Sequence, residues 1–152
     1  RSHLRQKGTA TIETALVLLP MMAILLVSVD LCMILFLRTT FQNAVREGAR
    51  YAVTSRLQQG MGHDASIRYQ VQKSSIGFLN GAENASRVSI RYFDPVTLSE
   101  TSSNAAGNVV EVSIENFPYN PIAPFWHYKS PVFITVRSSD RMEGQPNGPP
   151  AR

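Results

Sequence analysis

A chain of 152 residues has room for one domain, and a single cysteine, Cys32, excludes an internal disulfide. The net charge of +4 comes from cations scattered among acids, such as Arg38, Arg46, Arg50, Arg56, Arg68, Arg87, Arg91 and Arg137. With no Lys/Arg block and no basic stripe interleaved with aromatics, nucleic acid is not expected as a partner.

Residues 1–8 form a basic leader, with Arg1, Arg5 and Lys7 positive and no acid, as expected of a cytoplasmic flank. Thr14 to Leu37 follow, 24 residues with one charge, Asp30. A helix of that length spans roughly 36 Å, enough to cross a bilayer core of about 30 Å. The run exceeds the h-region of a cleavable secretory signal and no A-x-A site follows it, so residues 9–37 are expected to be a retained membrane anchor. Pro20 inside it predicts a local kink.

From Phe41 the pattern becomes one-sided. Phe41, Ala44, Val45, Ala49, Ala52 and Val53 recur at spacings of three and four, so a single rod is expected from about Thr9 to Leu57. Gly48 costs that helix about 1 kcal/mol in propensity but admits a closely packed neighbour. Asp64 is the expected N-cap of a second helix running toward Gly77, and Asp64 and Arg68 fit an i, i+4 pair on its face. Three period-2 runs come next, at Val88–Tyr92, Val110–Glu115 and Val132–Val136, and predict an antiparallel sheet with one buried face. The loop from Asp94 to Asn108 reads as polar and mobile. The four-proline segment Phe117–Pro131 reads as an extended excursion, and residues 143–152 as a disordered tail. The fold class expected is α+β, with a long N-terminal transmembrane and amphipathic helix on a small sheet, and residues 38–142 forming the extracytoplasmic domain.

No catalytic constellation emerges. His3, His63 and His127 lack metal-spaced partners, and no nucleophile motif or phosphate loop is present, so neither an enzyme nor a cofactor or metal is expected. Asn84-Ala85-Ser86 matches a glycosylation triplet that is common by chance. Phe125, Trp126 and Tyr128 read as a loop packing on its own domain rather than a binding patch. Asp30 is expected to face a partner helix, for instance from another component, because an acid at depth needs a partner; the competing reading is an acid that merely falls at the membrane interface. Glu13, near the start of the apolar run, has two readings: an acid stabilised by the helix dipole, or one awaiting a positive partner in the membrane.

Lys7-Gly8-Thr9-Ala10-Thr11-Ile12-Glu13, followed by the apolar run, resembles the class III signal of type IV pilins and pseudopilins. Together with Asn43–Ala52 (NAVREGARYA), it resembles the TadE-like family of minor pseudopilins of the Tad/Flp tight-adherence pilus. The resemblance is strong over Lys7–Val53 and weaker over Val110–Tyr119 and Arg137–Glu143. Thr14 departs from the Phe or Tyr common after the acid.

That resemblance implies cleavage between Gly8 and Thr9 by a prepilin peptidase, and pairing of Glu13 with a subunit amine during assembly. It implies that Arg46, Glu47, Gly48, Ala49 and Arg50 dock the helix on the sheet. The implied partners are the peptidase, other pilins and pseudopilins, Tad inner-membrane platform proteins and the lipid bilayer. The implied location is the bacterial inner membrane in a single N-in, C-out pass, with incorporation into an extracellular pilus as the further expectation. The competing expectation is a signal-anchored extracytoplasmic binding or sensor module without a pilus role.

Overall fold

The computed structural model describes residues 3–123, 131–144 and 148–152, with side chains from Thr9 onward in the first helix. Two compact units emerge: residues 1–35 with 119–132, and residues 36–118 with 133–152.

Helix α1 runs His3–Val53 and holds Pro20 without a break in its helical assignment. From Thr9 it is long and apolar enough to cross a membrane, with a mean hydropathy of 2.5 over its most apolar 18 residues. The helix stops four residues before the expected Leu57. Thr54 Oγ1 donates to the carbonyls of Arg50 and Tyr51, and Ser55 takes a left-handed φ of 46°. The Arg50 carbonyl already accepts from Thr54 N–H, and the hydroxyl satisfies the Tyr51 carbonyl that helix continuation would have used.

In the second unit, the expected stripe Phe41, Ala44, Val45, Ala49, Ala52 and Val53 is buried in full. It packs into one core with Ile67 and Val71 of α2 (His63–Ser74) and with Val88, Tyr92, Val110, Val112, Ile114, Ile134 and Val136 of the sheet. The Phe41 and Phe117 rings meet edge to face with centroids 4.7 Å apart. Helix α2 begins one residue before Asp64; Gly62 is its N-cap and no side chain caps it. The short α3 (Ala82–Ser86) was not expected.

The sheet is antiparallel, in the order β2-β1-β3-β4, with β1 Val88–Phe93, β2 Glu100–Thr101, β3 Val109–Tyr119 and β4 Val132–Arg141. Strand β2 lies in the stretch expected to be a mobile loop and pairs Tyr92 with Thr101. In β3, Val110, Val112 and Ile114 face inward, then Asn116 adopts a φ of 53° and Phe117 becomes the buried residue. That one left-handed residue shifts the inward parity from even to odd, which extends the buried face past the predicted end of the run.

The tail departs from expectation. His63 N–H donates to the Ala151 carbonyl, Asn104 Nδ2 to Pro150 O, and Arg152 lies against Asp64 and Tyr92. Asp64 therefore pairs with Arg152, not with Arg68.

Candidate assembly and anchoring site

Gly8, Thr9 and Glu13 lie in the early turns of α1. Thr9 to Met22 are exposed without exception, so no side of this stretch is covered by the chain itself. Glu13 lies at the position four residues after Thr9 and has no side-chain partner among the described residues. With Ala10, Thr14, Val17, Leu18 and Met21 it lines an open apolar groove. Thr14 Oγ1 donates to Ala10 O at 2.8 Å, so its hydroxyl is satisfied within the helix. A lone carboxylate in an apolar groove is an unmet electrostatic demand once lipid surrounds it.

Asp30 is the opposite case. Only 1% of it is exposed, and its partners come from its own chain. Tyr119 Oη donates to Oδ1 at 2.8 Å, Ile122 N–H to Oδ1 at 2.8 Å, and Ala123 N–H to Oδ2 at 2.7 Å. The expectation of a helix from another component is thereby corrected. Three donors, from the last residue of β3 and the loop after it, satisfy both oxygens, so the acid makes no further demand on a neighbour. Burial first, and then the bond to Asp30, push the Tyr119 phenol up to about 12, so it stays a donor at any physiological pH.

The block Arg46–Arg50 divides. Gly48 and Ala49 are buried, Glu47 is half-buried, and Arg46 and Arg50 face outward. A Cβ on Gly48 would overlap Val71 Cγ2 of α2 and come within 3.4 Å of Val112 Cγ1 of β3. Helix, helix and sheet converge on that missing side chain; the two arginines take no part in it.

A buried polar cluster lies beside α2 that sequence reading missed. Tyr92 Oη donates to Asp64 Oδ1 at 2.8 Å and lies 3.3 Å from His63 Nδ1. Arg152 bridges to Asp64 at 2.8 Å, and its guanidinium sits 4.8 Å from the centre of the Tyr92 ring. His63 is fully buried; desolvation holds its pKa below the ordinary histidine range, against the Ala52 carbonyl and the Asp64 charge. Its Nε2 has no hydrogen-bond partner of good geometry among the described residues. Only the Asp64 helix-start signal hinted at this cluster, and it pointed to a cap.

Phe125, Trp126 and Tyr128 lie outside the described residues, as do the side chains of Arg1, Arg5 and Lys7. Among the described residues no three metal-capable side chains gather.

No curated protein and no solved structure matches the chain. Residues 8–50, from the glycine before Thr9 to the end of the Arg46–Arg50 block, match the model of the family described as TadE-like protein. Over residues 8–50, then, the chain is similar to the TadE-like family.

Proposed function

We propose that this protein is a minor pseudopilin of a Tad-type pilus assembly system. It is cut after Gly8 by a prepilin peptidase and carried into assembly by α1. The observation that carries this reading is the family match over residues 8–50, which contains Gly8, Glu13 and the whole apolar run. Two features agree with it. Thr9–Met22 are exposed on every side, as a segment meant for lipid and neighbouring helices should be. Glu13 sits one helical turn from the proposed new amine at Thr9, within reach of that amine on its own chain or a neighbour. The role is structural: the chain is a peptidase's substrate, and its sheet domain is the body the helix delivers.

N-terminal sequencing of membrane-extracted protein, made alongside the cognate peptidase, tests the cut. The wild-type chain is expected to begin at Thr9, and Gly8→Arg to keep its leader. A wild-type chain that retains residues 1–8 sinks the reading.

A further inference from the structure

The cover that the chain supplies to its own apolar helix begins at a definite depth. Thr9–Met22 are exposed all round; then Ala23, Leu26 and Val27 are half-buried and Asp30 is buried. At 100° per residue these four positions fall within an arc of about 100°, so they share one face. Asp30 on that face is held by Tyr119, Ile122 and Ala123. Ile122, tied by its amide, leaves 64% of its surface exposed.

From Thr9 to Asp30 the helix rises about 32 Å, close to the roughly 30 Å core of a bilayer. Charges limit any other placement, and the exposed apolar residues just past Asp30, Leu31, Leu35 and Phe36, then lie in or just above the outer headgroup layer. Were Asp30 at mid-bilayer, the span would extend to residue 40 and carry the exposed Arg38 into hydrocarbon. The same shift would leave Ile12, Leu16 and Leu19, the last 73% exposed, in water. Were Asp30 well out in solvent, Lys7 and Arg5 of the uncut chain would be drawn into the core as it inserts.

We propose that Asp30 marks the outer boundary of the membrane span. The loop Tyr119–Ala123 is pinned there as a collar in the outer headgroup layer, with Ile122 dipping into the lipid. This rests on α1 crossing the membrane. The ligand class is the phospholipid interface, where an exposed aliphatic side chain and a hydrogen-bonded carboxylate are both accommodated. The collar fixes how far the helix enters, a job that a uniformly apolar helix leaves undefined.

The test uses the full chain carrying Cys32→Ser, with single cysteines introduced as Leu19→Cys, Ile122→Cys or Val96→Cys and nitroxide-labelled. Each variant is reconstituted in phosphatidylcholine/phosphatidylglycerol vesicles. Relative accessibility to oxygen and to a water-soluble nickel chelate reports depth. The label at 19 is expected in hydrocarbon, the label at 96 in water, and the label at 122 at headgroup depth. Adding Asp30→Ala should move the label at 122 several-fold toward the chelate accessibility of position 96, leaving 19 unchanged. If the label at 122 is as wet as 96 or as deep as 19 in the parent, the collar is overturned. If Asp30→Ala leaves it in place, Asp30 is not the pin and the proposal fails. Water exposure at 19 overturns the span itself, an outcome separate from a misplaced loop.

Discussion

Gly48 of α1 and Val71 of α2 share a space that admits only one side chain. Val71 Cγ2 fills the volume a Cβ on residue 48 would occupy, with Val112 of β3 behind it. A glycine in mid-helix weakens the helix by about 1 kcal/mol relative to alanine. The buried contact it permits offsets that loss, and it sits where three elements meet.

Gly48→Ala is therefore expected to destabilise the second unit, although alanine is the better helix former. Overpacking costs about 1–3 kcal/mol and the propensity gain returns about 1 kcal/mol, leaving a net loss of up to roughly 2 kcal/mol. Val71→Ala alone leaves a cavity and is also destabilising. Combined, the two should cost clearly less than their sum, since the new methyl enters the vacated space. Urea unfolding of the detergent-solubilised full chain measures all three; strict additivity would refute the shared space.

His63 predicts how stability responds to acid. Its folded pKa lies below the ordinary 6.5, with desolvation as the leading cause. The unfolded chain therefore takes up a proton at a pH where the folded one does not. The contribution is fully present above about 6.5 and is lost as pH falls from there toward the folded pKa, with a slope of up to about 1.4 kcal/mol per pH unit. Tyr92, Asn104, Asp64 and Arg152 surround the ring, and Asp64 and Arg152 act on it in opposite directions. His63→Gln should flatten the unfolding profile between pH 7 and 5. A wild-type profile already flat there would show that His63 is not buried as a neutral ring.

Tyr92 predicts the opposite limb. Burial, and then the bond to Asp64, raise its pKa above the ordinary 10.0. The folded state thus prefers the protonated phenol, and its contribution is present below pH 10 and lost as pH rises past it. Tyr92→Phe should remove that alkaline loss while costing about 1 kcal/mol at pH 7 for the missing hydrogen bond. Thermal melts across pH 8–11 distinguish the two chains.

Arg152→Ala should loosen residues 148–152 without unfolding the sheet domain. The bridge to Asp64 is partly solvent-exposed, so its worth is about 0.5–1 kcal/mol and falls with salt. Limited proteolysis should cut the tail faster in the variant, most clearly at low ionic strength. Equal rates in both chains would mean the tail gains nothing from the arginine.

The contrast between Gly48 and Asp30 shows what sequence could disclose. The stripe from Phe41 to Val53 repeats at helical spacing, and the three predicted strands alternate, so burial on one side could be read locally. Gly48 sits on that stripe, close against Val71 of α2 and Val112 of β3. Asp30 finds its partners about 90 residues away, two of them backbone amides whose side chains carry no polar signal. No periodicity encodes such a contact. The tail likewise looked structureless because its partners, His63, Asp64, Tyr92 and Asn104, are scattered through the chain and meet only once the core has formed.

Glu13 and Asp30 are two acids on one helix with opposite circumstances, and that difference makes the assembly reading testable. Asp30 has three donors of its own chain, whereas Glu13 has no side-chain partner among the described residues. Replacing Glu13 with valine removes a charge from an exposed apolar groove and disrupts no bond seen among those residues, so folding and membrane insertion should hold or improve. The cut after Gly8 should persist, because the glycine and the helix behind it are intact. Incorporation into pili should fall by an order of magnitude or more, because an ion pair with a subunit amine is strong where water is excluded. Immunoblots of sheared pili and membrane fractions, normalised to processed protein, separate the two steps. Wild-type amounts of Glu13→Val in the sheared fraction would return Glu13 to an ordinary helix-dipole acid.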